Sequence, residues 1–455
     1  MLRIFRKYYP IRNVIFAVGE GFIIFFAVYF ACLLKLGPND YYHNPVLLFK
    51  IFVITIICQI SFYYNDLYNI EITSSLKELS FRLLQALGYT SIIFAFIYFA
   101  FPSMIISHGI FVFILILISM MIIVWRFGYS IILANGIFDQ KIVVIGDGEL
   151  AKSIVAEIDA KKDSGYQIVQ FIDLSTLIVE KKLIDAFPID PNKKPVIKKI
   201  IVALEEKRGK LPVKELLRCR TAGIDIIEGT SFYEMLMGKL YVTQINPAWL
   251  IFSDGFKKSK LQRFVKRAVD IFFSITLLII FFPFFIVIAL LIKLDSRGPV
   301  LFKQERIGQD RRPFTIYKFR SMVANAESQS GPVWAQDDDS RITRIGKVTR
   351  KLRIDELPQL LNVFKGEMSF VGPRPEREFF ILELEKQIPY YDERFNVKPG
   401  ITGWAQVGYG YGATIEDAIE KLNYDLFYIK NLSLFLDLMI VFRTFKVVLL
   451  GKGAR

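Results

Sequence analysis

Two adjacent acids, Asp355 and Glu356, stand in a stretch crowded with cations, TRKLRIDELPQLLNVFKGEMSFVGPRPE at 349–376. Proline is tolerated only in the first turn of a helix, so Pro358 puts both acids at the N-terminus of the helix QLLNVF. A helix N-terminus has unpaired N–H groups and the positive end of the helix dipole, which together attract a phosphoryl group. A carboxylate beside that phosphate can attack phosphorus and form an aspartyl-type intermediate, here on Asp355. Adjacent helical side chains diverge by about 100°, so one nucleophile plus one magnesium ligand, Glu356, is more natural than two acids sharing a proton. Arg350, Arg353, Lys318, Arg320, Arg306 and Arg374 supply the cations that transfer between charged phosphates requires. The only histidines, His43 and His108, flank apolar segments, so the chemistry has to proceed without histidine.

These residues must be held against something, and the composition says what. Hydrophobic residues make up 53% of the 455 while charged residues still reach 22%, a mixture that divides the chain between membrane and polar parts. Residues 14–34, 46–64, 83–101 and 109–125 each approach the ~20 apolar residues of a bilayer-crossing helix, giving a four-helix transmembrane region over 1–126. The first of them ends in Leu33, Leu34 and Lys35 rather than a cleavage site, so it is retained. Arg3, Arg6, Lys7, Arg12, Lys77, Arg82 and Arg126 mark the cytoplasmic ends, which places all that follows inside the cell. A net charge of +14 would suit nucleic acid or anionic lipid, and the spans decide for membrane lipids and against nucleic acid. Glu20 and Lys50 lie within spans and are expected to pair across helices or snorkel. Cys32, Cys58 and Cys219 have neither disulfide nor zinc spacing.

From Lys141 the pattern changes to short β-branched runs at 142–146, 168–173, 200–204 and 224–228 with helical stretches between, a Rossmann-like α/β domain over 127–255. Gly146, Gly148 and Ala151 form GxGxxA after the first run, and Asp173 ends the second, where a dinucleotide fold holds a ribose hydroxyl. Glycines at such a turn also serve tight packing alone, and no later segment offers a hydride-transfer site. Residues 271–292 are long enough to span, yet Lys266 and Arg267 precede them and Lys293, Arg297 and Lys303 follow. Both flanks favour the cytoplasm, and Pro283 interrupts the middle, so 256–298 is expected to be a broken, re-entrant helix. It leads into a mainly helical cytoplasmic domain over 299–455, making the whole a membrane protein of α plus α/β class.

KFRSM at 318–322, DELPQLLNVFKGEMSFVGPRPE at 355–376 and KPGITGWAQV at 398–407 resemble, in order and spacing, the polyprenyl-phosphate hexose-1-phosphate transferase family. The C-terminal ~190 residues carry the motifs, while the four spans and nucleotide-fold middle resemble the long form of the family in architecture. The resemblance implies transfer of a hexose 1-phosphate from a UDP-sugar to undecaprenyl phosphate with release of UMP, through a phosphoaspartyl intermediate on Asp355. It implies Glu356 as a Mg²⁺ ligand, and Arg350, Arg374, Lys318 and Arg320 at the substrate phosphates. Pro283 matches the family's re-entrant breaker, although Phe282 replaces the serine common before it. Localisation in the bacterial inner membrane follows, with UDP-glucose or UDP-galactose as the donors usual in the family. The nucleotide-fold domain is the expected contact of a homodimer.

Overall fold

The computed structural model describes residues 2–4, 7–9, 11–42, 46–69, 75–106, 109–134, 136, 138–161, 164–172, 197–204, 211–245, 255–256, 258–323, 341–410, 412 and 414–449. His43, His108 and Asp173 lie outside the described residues. The chain divides into two units whose bodies are Tyr8–Gly229 and Thr230–Arg455.

The first unit opens with α1 (Ile11–Tyr42), α2 (Leu47–Tyr64), α3 (Leu76–Ala100) and α4 (Ile110–Ala134). All four are long and apolar enough to cross a membrane. Ile24, Ala31, Cys58, Phe62, Leu83, Phe94, Ile114 and Ile122 join in one buried cluster drawn from every helix. Phe22, Phe26 and Phe30 stay exposed one turn apart on α1, as a helix facing lipid requires. Neither charge within the spans stands alone. Arg126 donates to Glu20 Oε1 at 2.6 Å and to the Leu67 carbonyl at 2.7 Å, and Lys50 Nζ donates to the Ile105 carbonyl at 3.1 Å. All three cysteines are free and buried.

A small parallel sheet follows in the same unit, made of β1 (Gln140–Ile145), β2 (Tyr166–Ile172), β3 (Lys199–Val202) and β4 (Asp225–Glu228) in the order β2–β1–β3–β4. Parallel neighbours need crossovers, and α5 (Glu149–Ala160) and α6 (Val213–Thr221) lie between strands in the chain. A side chain at Gly146 would begin 2.2 Å from the Ala203 carbonyl oxygen and 2.8 Å from Ala151 Cβ. The first glycine and the alanine of GxGxxA therefore let β1, α5 and the end of β3 approach closely, and Gly148 is the residue before α5.

The division between the two compact units falls after Gly229. A set of polar contacts ties 234–242 to the rest of the second unit. Trp404 Nε1 donates to the Gly238 carbonyl at 2.7 Å, Val242 N donates to Asn423 Oδ1 at 2.9 Å, and Lys239 pairs with Glu420.

The second unit begins with α7 (Lys260–Asp295), a 36-residue helix opened by a Ser259–Gln262 capping box. It too is long and apolar enough to cross a membrane. The break expected at Pro283 is absent as an interruption, since helix continues on both sides of it. Proline removes a single backbone bond, and the remaining ladder carries the helix past it in apolar surroundings. A hairpin of β5 (Leu301–Ile307) and β6 (Pro313–Phe319) comes next, then α8 (Arg344–Lys351), a 3₁₀ turn at Ile354–Gln359 and α9 (Leu360–Lys365). Strands β7 (Ser369–Val371) and β8 (Gly400–Thr402) pair in parallel, and α10 (Ile415–Asn431) and α11 (Leu434–Leu449) close the unit. Val371, Trp404, Leu426, Phe427, Tyr428 and Ile440 share its principal core.

Candidate active site

Asp355 and Glu356 sit on the 3₁₀ turn one step before α9, both buried. The helix QLLNVF, at whose N-terminus the acids were expected, starts at Leu360, and the turn bearing the acids runs directly into it. Arg353, which leads into the turn, has φ 57° and ψ 19°, a left-handed conformation that a non-glycine residue adopts at a cost of about 1 kcal/mol or more. That reversal separates α8, which carries Arg350, from the turn that carries the acids.

The two carboxylates are treated differently. Glu356 Oε1 accepts from Lys318 Nζ at 3.0 Å and from Arg374 Nη2 at 2.8 Å, and Oε2 lies 3.8 Å from Arg353 Nη1. Burial alone would raise the Glu356 pKa, but Arg374, then Lys318 and Arg353, hold it well below the usual carboxylate range. Asp355 accepts no hydrogen bond among the described residues. Burial first, and the Glu356 charge second, push its pKa up to about 6 against the pull of Lys318, Arg350 and Arg374. Burial likewise lowers the Lys318 pKa, with Arg374 adding to it and the two acids opposing. Two neighbouring acids with opposed pKa shifts are a recurring mark of divided chemical roles.

Lys318 reaches Glu356 because β6 is fastened to α9. Asn362 is fully buried, accepts from Tyr317 N at 3.2 Å and donates to the Thr315 carbonyl at 2.7 Å and to Glu367 Oε2 at 2.7 Å. Sequence reasoning passed over Asn362, and its one visible signal was an amide inside the apolar run LLNVF.

Arg374 is aimed from behind. The segment Pro373–Glu376 has no regular structure, and its prolines lack an N–H, yet each of its four carbonyls is taken by a donor from elsewhere. Gly400 N donates to Pro373 at 2.9 Å, Arg394 Nη2 to Arg374 at 3.0 Å, Arg306 Nη1 to Pro375 at 3.2 Å and Ile307 N to Glu376 at 3.1 Å. Arg394 is itself buried and paired with Asp425 Oδ2 at 3.1 Å. Side chains on Gly372 or Gly400 would begin 2.3 Å and 2.1 Å from opposing backbone atoms, which is why both motifs carry glycine there.

The structure thus brings together Asp355, Glu356, Lys318, Arg353 and Arg374, with Arg350 near enough to act on Asp355 electrostatically. It does not bring Arg306 or Arg320 to the acids. Arg306, expected on substrate phosphate, contacts Gln304, Pro375 and Glu376. Arg320, also expected on phosphate, is buried and donates to the Arg297 carbonyl at 2.9 Å, the Ser296 carbonyl at 2.7 Å and Ser296 Oγ at 2.8 Å. A guanidinium at the end of a helix satisfies carbonyls that the ladder leaves open and opposes the negative end of the dipole, so Arg320 serves α7. Gly146, Gly148 and Ala151 belong to the sheet of the first unit, and Pro283 to the exposed middle of α7.

Helix α7 holds this site at both ends. Arg267 donates to the Val363 and Phe364 carbonyls at 2.6 and 2.8 Å, capping α9, while Asp270 Oδ1 accepts from Ser369 Oγ and Phe370 N at 3.1 Å each. At the far end Asp295 Oδ2 accepts from Ile345 N at 3.0 Å, at the start of α8.

With this geometry in place, the comparisons are specific. Residues 261–451 match the model of the bacterial sugar transferase family. The chain is 46% identical over 240 residues to a UDP-N-acetylgalactosamine-undecaprenyl-phosphate N-acetylgalactosaminephosphotransferase of Aeromonas hydrophila, covering 53% of this chain and 56% of that one. It is 34% identical over 325 residues to an undecaprenyl-phosphate glucose phosphotransferase of Komagataeibacter xylinus, covering 69% and 60%. It is 31% identical over 353 residues to an undecaprenyl-phosphate galactose phosphotransferase of Salmonella typhimurium, covering 70% of each. The chain thus spans little more than half the length of the first of these relatives and three fifths of the second. It belongs to the bacterial sugar transferase family, and its apolar helices make it a membrane-associated member.

Proposed function

We propose that this protein transfers a sugar 1-phosphate from a UDP-sugar to undecaprenyl phosphate, with Asp355 as the covalent nucleophile. The division between the two acids carries this reading: Glu356 is spent on three cations, while Asp355 is buried beside them without a hydrogen bond among the described residues. In the first step an Asp355 carboxylate oxygen bonds to the phosphorus that bears the sugar, and the bond to UMP breaks with its electron pair leaving on UMP. In the second step a phosphate oxygen of the lipid bonds to the same phosphorus and the Asp355 carboxylate departs. Lys318, Arg350 and Arg374 stabilise negative charge on the phosphates, and no proton has to leave the acceptor because its phosphate is already ionised.

Magnesium suits this site as a shared one. Among the described residues no three His, Cys, Asp or Glu side chains converge, so the protein alone offers no cage. Mg²⁺ characteristically takes one or two carboxylates and completes its shell with substrate phosphate and water, and Asp355 and Glu356 are such a pair. Glu356 would hold the ion, which would neutralise diphosphate charge, and it would release one of its cations to do so.

The architecture read for this function is a four-helix transmembrane bundle, a Rossmann-like domain and a re-entrant α7, in an inner membrane with the catalytic domain on the cytoplasmic side. Support for re-entrance comes from α7, whose two ends both bond to the same C-terminal unit and whose flanks are both basic. The Rossmann-like domain remains the proposed homodimer contact, with Gly146, Gly148 and Ala151 as its proposed nucleotide turn.

The test is nucleotide release by full-length protein in lipid discs with undecaprenyl phosphate, Mg²⁺ and a panel of UDP-sugars, beside Asp355→Asn. UMP release beyond one equivalent per enzyme that needs lipid and one sugar, and disappears in the variant, is the expected result. Release of UDP, or activity surviving in Asp355→Asn, overturns the mechanism.

A further inference from the structure

Outside the active site, three cations, Lys266, Arg267 and Lys398, gather about two acids, Asp270 and Asp437. Arg267 and Lys398 converge on Gly366, which ends α9 with φ +93°. Arg267 Nη2 and Lys398 Nζ lie 3.2 and 3.5 Å from the point where a Gly366 side chain would begin. Lys398 is half-buried and makes no hydrogen bond or ion pair among the described residues. The Asp270 carboxylate acts on it electrostatically, but one oxygen of that acid is already committed to Ser369 and Phe370. Lys266, the next cation, is paired with Asp437. Burial first, then Arg267, lowers the Lys398 pKa, with Lys266 adding and Asp270 opposing. Like charges gathered at a partly desolvated spot repel one another, and an anion there would turn that repulsion into attraction.

The surroundings indicate where the anion comes from. Arg267 stands where the apolar part of α7 begins; Leu261, Phe264 and Phe272 nearby in sequence are 70%, 71% and 64% exposed, and Phe364, whose carbonyl Arg267 holds, is 47% exposed. Exposed aromatic and leucine side chains beside lysine and arginine are the composition of a surface lying at the headgroup level of a bilayer. The active-site acids cannot be the destination of this same phosphate, because Asp355 precedes α9 whereas Arg267 caps its C-terminal end.

We propose that Lys398, with Arg267, forms a binding site for the phosphate of an anionic membrane phospholipid, distinct from the site that handles the lipid substrate. The bound headgroup neutralises the cation pair and holds the C-terminal end of α9 at the membrane surface. The inference rests on the membrane reading of α7 but not on the phosphoaspartyl mechanism.

The test measures binding rather than turnover. Full-length protein, stripped of lipid in detergent, is titrated with phosphatidylglycerol, phosphatidylcholine or inorganic phosphate, and bound lipid is counted by native mass spectrometry. Wild-type protein is expected to take up phosphatidylglycerol in preference to phosphatidylcholine. In Lys398→Gln that preference should fall about fivefold, and in Lys398→Arg it should persist. Inorganic phosphate should displace lipid only weakly, because it lacks the acyl chains. A preference unchanged in a folded Lys398→Gln overturns the proposal, as does free phosphate saturating the site at concentrations that leave phosphatidylglycerol unbound. Far-ultraviolet circular dichroism reports the fold of each variant, and Asp355→Asn should bind phosphatidylglycerol like wild type even if the proposed chemistry is wrong.

Discussion

Lys318 Nζ donates to Glu356 Oε1 at 3.0 Å and makes no hydrogen bond to Asp355, so the lysine of the KFR motif neutralises one acid while acting on the other only through space. That asymmetry, reinforced by Arg374 on the same Glu356 oxygen, is what separates the two carboxylates chemically.

The pH dependence of the first step should report Asp355. Its carboxyl is pushed up to about 6, and only the ionised form attacks, so the rate should rise with pH through that region and fall towards tenfold per unit below it. The acceptor phosphate titrates in the same range, so the measurement is the burst of UMP released without lipid. A burst independent of pH between 5 and 7 would contradict the assignment.

Glu356→Gln leaves the burial that chiefly raises Asp355 but removes the charge that adds to it, and frees Lys318 and Arg374 to attract Asp355. The acidic limb of the burst should therefore move to lower pH, even as the rate at its plateau drops through loss of the proposed metal ligand. A limb that stays in place would mean that the two acids do not interact.

Arg306 and Arg394 should act through Arg374, whose neighbouring carbonyls they hold. Arg306→Gln is expected to lower kcat about tenfold with a smaller change in KM for the UDP-sugar, the signature of misaimed transition-state contact. A rise in KM alone, with kcat intact, would instead place Arg306 on the substrate.

Arg320→Met should cost stability rather than binding. It leaves the Ser296 and Arg297 carbonyls without their donor, a loss of about 1–3 kcal/mol, seen as a lower Tm. Wherever the variant remains folded, its KM for the donor should match wild type; a selective loss of donor binding at unchanged Tm would restore the phosphate role.

Within the first unit, Arg126→Leu strands Glu20 in apolar surroundings and should cost about 3–5 kcal/mol. Replacing both residues by leucine should recover much of that loss, which thermal unfolding in detergent can follow. Failure of the double variant to improve on the single one would show that the pair does not act as a unit.

Much of this protein is legible along its chain, because some forces act over neighbouring residues alone. Hydropathy over a window of helical length found the four long apolar helices of the first unit, and β-branched runs found the strands of the small sheet. The adjacency of Asp355 and Glu356, with Pro358 three residues after the first, marks the acidic turn in the sequence alone. Side-chain partnership is different, since it depends on which elements meet. Nothing local distinguishes Arg374, which reaches Glu356, from Arg320, which closes a helix end, or Arg306, which holds a proline-rich segment. Nor does any local pattern set Asn362 to fasten β6 to α9 or place the left-handed turn at Arg353. Opposite roles for two neighbouring acids arise only when strands and helices distant in sequence deliver their charges unequally, and that delivery is a property of the folded chain.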